Sequence, residues 1–360
     1  MASTDADRIV AESFRNEQLG LFSQAIDGYR HALEANPDHL LAAARLFRLL
    51  RDLRTDPPPL PLKLVWQVPL EGSWELDWLR YLLSGLNVTE IVDGRHQEFH
   101  DGSIVVDSYL TTSKRSYYFE MLKRRHRFAL IHVSDSRYID DYGAYSLANV
   151  VIRTLWCRLH ASDKRVQVVP LGLMNGFEVA SRKPARDRRY AWSFAGNVDK
   201  STRAAMVSAM SAIEGGHLHR SDSVGPLTIK SRPDAQPPLA VADYARLMSE
   251  TIFAPCPTGW ENLDSFRVCE ALEAGCIPIV ERRPSYDYFR YLFGEHPMIT
   301  IDRWSEAPGL IEQLRTDPAA LESRRLACET WWQDHKRATA SRVQDVIRRF
   351  LAPAQVSPLH

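Results

Sequence analysis

Arg267 and Glu270 stand three residues apart in a segment that also carries Pro257, Gly259 and Ser265. From Phe253 to Val280 this segment reads as a short apolar strand, a Pro/Gly loop, an amphipathic helix and a second apolar strand. A loop of small residues feeding a helix N-terminus brings free N–H donors and the positive dipole end together, which suits a phosphate. Asp264 or Ser265 can cap that helix, and Gly275 can end it in the left-handed conformation. Arg267, in the first turn, adds a fixed fork of charged donors. Glu270 lies on the same helix face and can accept from the two hydroxyls of a ribose. A diphosphate reader and a sugar reader one turn apart describe a nucleotide-diphosphate site.

Two other segments carry chemistry. In the stretch from Tyr190 to Asn197, Gly196 lets backbone approach a ligand closely, Asn197 follows it, and Arg203 on the next helix can pair with phosphate. In the stretch from Ile131 to Tyr138, His132 and Asp135 stand at the end of an apolar strand, where a cleft mouth is expected.

The elements that must position these residues alternate along the chain. After a Pro-rich stretch over 56–61, strands are expected at 62–68, 89–92, 103–106, 128–133 and 166–171, with helices at 74–86, 114–124 and 147–159. The polar, basic run 181–189 suits a solvated interdomain linker. A second alternation follows: a strand from Tyr190 to Ala195, helices at 201–213 and 241–250, then the strand–helix–strand of the opening segment. A long helix from Pro318 to Leu351 closes the chain, its proline at a tolerated first position. The pattern is α/β, with two parallel-sheet, Rossmann-like domains in series and ligands expected in the cleft between them. The expected divisions are 1–56, 57–180, 181–335 and 336–360.

Composition narrows the partners. With 45 basic and 45 acidic residues in 360, no global field favours nucleic acid or membrane. Phosphate binding must come from local sites. The five cysteines lack a C-x-x-C pair, which argues for reduced, mostly buried thiols and against a disulfide framework or a zinc site. A polar N-terminus without an early apolar run reads as cytoplasmic, with a peripheral place at the inner face of a membrane as the other option.

Several of these segments resemble known families. Pro257-Thr258-Gly259, Ser265-Phe266-Arg267, Glu270-Ala271 and Gly275-Cys276-Ile277-Pro278 are similar to the donor-binding region of exostosin-type glycosyltransferases. Phe194, Gly196, Asn197 and Arg203 resemble the element that opens the second domain there. His132, Ser134 and Asp135, followed by Tyr142, Tyr145 and Arg153, resemble the ribitol xylosyltransferase branch. Gly20 to Pro37 resembles the second half of a tetratricopeptide repeat, whose small residues allow close helix packing.

The exostosin resemblance implies a GT-B fold and an inverting, metal-independent transferase that uses a UDP-sugar, xylose first among pentoses and hexuronic acids. The acceptor it implies is a hydroxyl of a glycan, capsular polysaccharide or glycolipid. No cofactor is then needed beyond the donor substrate. Gly196, Asn197, Arg203, Pro257, Gly259, Ser265, Arg267 and Glu270 would bind the donor, and Glu71, Arg137 and Tyr142 the acceptor. Inversion needs a base for the acceptor hydroxyl. Asp135 is the first candidate, His132 the second, with Glu71 and Asp77 beyond them. Asn262, eight residues before Glu270, departs from the paired glutamates of many retaining enzymes. Asp5-Ala6-Asp7 lies in the polar N-terminus, away from any strand end where a metal-dependent enzyme would need it. His217 and His219 alone make no metal site and are expected on the surface. A degenerate scaffold, with the repeat-like helices binding a protein partner or a second copy, and a GT-B epimerase or phosphorylase are the alternatives.

Overall fold

The computed structural model describes residues 2–52, 61–221, 235–259 and 261–351. The Pro-rich stretch over 56–61 lies, but for Pro61, outside them. Three helices open the chain: α1 (Ala2–Gln18), α2 (Phe22–Ala35) and α3 (Leu40–Asp52). A Cβ at Gly28 would meet Ser13 Oγ at 2.1 Å, so the crossing of α1 and α2 needs a residue without a side chain. Tyr29, Ala32, Ala43 and Phe47 join one apolar cluster with Val105, Leu130 and Val151 of the following domain. These helices therefore cover one face of the first sheet.

The first domain runs through β1 (Leu62–Trp66), α4 (Leu76–Leu83), β2 (Val88–Val92), β3 (Ser103–Ser108), α5 (Arg115–Lys123), β4 (Phe128–Val133), α6 (Gly143–Leu147), β5 (Val150–Thr154) and β6 (Val166–Val169). Its six strands are all parallel, in the order β2-β1-β3-β4-β5-β6. The helix expected over 147–159 is corrected here: Val150 to Thr154 is a buried strand. A five-residue run containing three β-branched residues before Arg153 and one after favours the pleat, and it fills the gap between β4 and β6.

The second domain contains β7 (Tyr190–Gly196), α7 (Arg203–Met210), β8 (Gly216–Arg220), α8 (Val241–Ser249), β9 (Thr251–Cys256), α9 (Phe266–Glu273), β10 (Ile277–Glu281), α10 (Tyr288–Phe293), β11 (Ile299–Ile301) and α11 (Ala307–Arg315). Its strands are parallel in the order β11-β10-β9-β7-β8. β8 carries His217 and His219 as an edge strand that the pattern had not signalled. The run 181–189 is not a solvated linker. Arg188 is buried and donates to the carbonyls of Thr251 at 2.6 Å and Ala274 at 2.9 Å, and Arg182 pairs with Glu273 at 2.5 Å. Arg182 and Arg188 thus serve the second domain's backbone ends, while Arg186, Asp187 and Arg189 are exposed.

The last helix, α12 (Pro318–Leu351), crosses from one domain to the other. Trp332 stacks on Trp78 of α4 with centroids 6.0 Å apart, while its indole N–H donates to Glu273 of α9 at 2.7 Å. Further along, Gln344 donates to Leu82 O at 3.1 Å. One helix thus fixes the two sheets relative to each other. All five cysteines are free and buried, and no helix among the described residues is long and apolar enough to cross a membrane.

Candidate active site

Strand order locates the crevices. In an open α/β sheet, ligands bind beyond the strand C-termini where the winding direction reverses. In the second sheet β7 leads outward to β8, and the chain then returns past β7 to β9. The reversal lies between β7 and β9, and the loops that follow these strands carry the donor motif. Gly196, Asn197 and Arg203 follow β7; Pro257, Gly259, Ser265, Arg267 and Glu270 follow β9.

Two arginines line this crevice. Arg267 lies over the ring of Phe194, 4.2 Å from its centroid, and donates from Nη2 to Ala195 O at 2.5 Å. Arg203, buried, sits 5.7 Å from the same ring and donates to Asn197 O at 2.8 Å and Thr258 O at 3.4 Å. Burial, then the neighbouring Arg267, lowers the Arg203 pKa to about 9. Two guanidiniums on one aromatic ring, bonded to carbonyls rather than to carboxylates, favour a multiply charged anion between them.

Unpaired polar atoms lie in the same segment. Arg267 Nε, Ser265 Oγ and Asp264 Oδ1 are buried without a hydrogen-bond partner. Ser265 occupies the N-cap position of α9, but its side chain makes no cap hydrogen bond. The expected cap from the Ser265 hydroxyl is absent, which leaves that hydroxyl unpartnered at the first turn of α9. The loop is held tight around them: Gly259 N–H donates to Asn262 O at 2.8 Å, and a Cβ on Gly259 would come within 2.8 Å of Asp264 O. At Gly196, φ is 145° and a Cβ would lie 3.2 Å from Arg267 Nη2.

Glu270 is buried, and its Oε1 accepts the Met174 N–H at 3.4 Å. Burial raises its carboxyl to about 7, against the lowering effect of Arg267. Burial likewise raises Asp264 to about 7. Both groups hold a proton in the folded chain that they release in the unfolded one, where carboxyls titrate at roughly 4. Their contribution to stability is complete below that range and is lost as pH rises through about 7. The unliganded protein should therefore melt at a lower temperature at pH 8 than at pH 5. A thermal series on Asp264→Asn/Glu270→Gln should be flatter; an equal slope would contradict the assignment.

The first domain presents a polar layer along its own strand ends. Asp135 is buried, and both of its oxygens are engaged. Oδ1 accepts Ile139 N–H at 3.1 Å, while Oδ2 accepts Tyr142 OH at 2.6 Å and pairs with Arg153 Nη2 at 3.3 Å. His132 is equally occupied, with Nδ1 2.7 Å from Tyr145 OH and Nε2 2.8 Å from Asp140 Oδ2. Both expected bases are thus tied into the scaffold by buried hydrogen bonds. Tyr142, expected at the acceptor, spends its hydroxyl on Asp135.

Arg137 instead bridges the domains, 3.0 Å from Glu261. Tyr138 does the same through Asn262, whose amide donates to its hydroxyl. Glu71 is exposed in the turn after β1, and Asp77 accepts Gly176 N–H at 2.9 Å. Between these two lies Glu75, buried, which the sequence reading passed over. The acidic loop Glu71-Gly-Ser-Trp-Glu75 behind a strand was the available signal.

Two facing parallel sheets with a crevice at each reversal point and a terminal helix returning to the first domain define a GT-B fold. The chain is similar over residues 92–289, more than half of its length, to the exostosin GT47 domain, and it belongs to that family. It is a glycosyltransferase. Among solved structures, HepE from Anabaena, described in complex with UDP-glucose, shares the fold at TM-score 0.52 with 10% identity, covering 80% of this chain and 99% of that one. An O-GlcNAc transferase from Thermobaculum terrenum is 12% identical at TM-score 0.46, covering 96% and 84% of the two chains. No curated protein sequence matches the chain significantly.

Proposed function

We propose that the protein transfers a sugar from a UDP-sugar to a hydroxyl of a glycan, capsular polysaccharide or glycolipid, with inversion and without a metal. The observation that carries this reading is the set of unpaired donors, Arg267 Nε and Ser265 Oγ, beside Arg203 at the open N-terminus of α9. A nucleoside diphosphate supplies the missing acceptors and two negative charges. Glu270, one turn into the same helix, stands where the ribose follows. HepE's complex with UDP-glucose supports uracil as the base. Xylose as the first sugar rests on the resemblance of His132, Ser134 and Asp135 to the ribitol xylosyltransferase branch.

As the glycosidic bond to the diphosphate breaks, charge grows on the leaving oxygen. Preorganised cations and helix N–H groups stabilise it without reorganisation. In this reading α1 to α3 are a tetratricopeptide-like brace on the first domain. UDP release from a panel of UDP-sugars tests the proposal, and turnover should persist in excess EDTA. Complete loss restored only by manganese or magnesium would refute the metal-free mechanism. A protein that binds UDP and releases none from any donor would be a scaffold.

A further inference from the structure

We propose that Glu75 is the general base that takes the proton from the acceptor hydroxyl, an inference that rests on the reading of the protein as an inverting UDP-sugar transferase. Placement is the first argument. In the first sheet β1 leads outward to β2, and the chain then crosses back past β1 to β3, so the winding reverses between β1 and β3. Glu75 ends the loop that follows β1 and opens α4, at that reversal point.

The second argument is that this loop is pinned to the donor helix. The Trp74 indole meets Phe266 edge-on with centroids 6.0 Å apart, and Phe266 lies between Ser265 and Arg267. Asn175 N–H donates to Trp74 O at 2.8 Å, while the adjacent Met174 N–H donates to Glu270. Two consecutive residues therefore hold the Glu75 loop and the ribose-side carboxylate of the donor site together.

The third argument is chemical, and it comes from comparing the carboxylates along this sheet edge. Asp107 is bound by Lys114 at 2.7 Å, His96 at 2.8 Å and Tyr118 at 2.6 Å. Asp135 is bound by Arg153 and Tyr142, Asp140 by His132, and Asp93 by Gln67 at 2.6 Å and backbone N–H groups. Glu75 has no cationic partner: it meets Ser134 Oγ at 3.3 Å, Trp74 N–H at 3.2 Å and its own backbone N–H, all neutral. Ser134 makes its contact from a left-handed backbone with φ of 68°, a conformation that a non-glycine residue holds only when its surroundings impose it. Burial without a cation raises the Glu75 carboxyl above its ordinary range, the direction a base for a neutral hydroxyl requires.

In the step, the acceptor O–H proton passes to a Glu75 carboxylate oxygen as the acceptor oxygen bonds to the anomeric carbon. The bond from that carbon to the diphosphate oxygen breaks, and its electron pair leaves with UDP. The test uses UDP release from UDP-xylose, UDP-glucose and UDP-glucuronic acid, with water as the acceptor, so no acceptor glycan need be known. In Glu75→Gln, turnover should fall roughly 10²–10⁴-fold while UDP affinity stays parental. The acid limb of the parent's pH–rate profile should vanish with it, and formate should restore part of the rate in Glu75→Ala. Parental turnover in Glu75→Gln with UDP binding intact overturns the base and leaves the donor reading standing. A parent that turns over none of the donors overturns the catalytic reading and the base together.

Discussion

Arg153→Leu is expected to destabilise the protein by roughly 3–5 kcal/mol, the cost of leaving a buried charge without its partner. Arg153 has no exposed surface and binds four groups at once. It pairs with Asp135 at 3.3 Å and donates to Tyr145 OH at 3.2 Å, Leu155 O at 3.0 Å and Thr154 O at 3.3 Å. Its loss strands the Asp135 carboxylate beside two tyrosines whose burial already disfavours charge. Adding Asp135→Asn to Arg153→Leu removes the stranded charge and should recover a substantial part of the loss. Urea midpoints of the parent and these two variants check this. A midpoint for Arg153→Leu close to the parent's would mean that the layer is solvated, and Asp135 would return as a candidate base.

Arg267→Ala is expected to weaken UDP binding by about 1.5–3 kcal/mol, or roughly 10- to 150-fold. The guanidinium is fixed by Ala195 O and the face of Phe194 before any ligand arrives, so little entropy is lost on binding. Its Nε has no partner in the unliganded chain. Arg267→Lys keeps a charge but loses the planar fork and the stacking, so it should fall between parent and alanine. Calorimetric titration of UDP into the three proteins decides it. Equal affinities would move the diphosphate away from α9.

The gathering of Gly196, Arg203, Ser265 and Arg267 at one crevice was legible because it follows from local backbone chemistry. Gly196, Gly259 and the α9 N-terminus lie in short strand–loop–helix units whose geometry follows from nearby residues. The surroundings of His132 and Asp135 were not. His132 and Asp135 have the composition of an acid–base pair, and only tertiary placement shows that Tyr145, Asp140, Tyr142 and Arg153 occupy them. Glu75 escaped for the converse reason: the acidic loop is visible in the sequence, but the lack of a cationic partner that sets Glu75 apart is not. Arg188 was hidden in a basic run because charge in sequence does not tell whether carbonyl ends await it. The error at β5 has a simpler origin, since a short apolar run fits a helix or a buried strand until its neighbours β4 and β6 are known.

Hydrogen exchange with and without UDP, in a buffer containing EDTA, tests the central claim most directly, because it reports where the nucleotide sits. Protection should appear at the amides after β7, over Asn197 to Arg203, and at the loop and first turn of α9, over Thr258 to Glu270. The α1–α3 helices and the strands of the first sheet should exchange as before. Saturable binding that protects only the first domain, or no protection anywhere at millimolar UDP, would contradict a diphosphate site built by Arg203, Ser265 and Arg267.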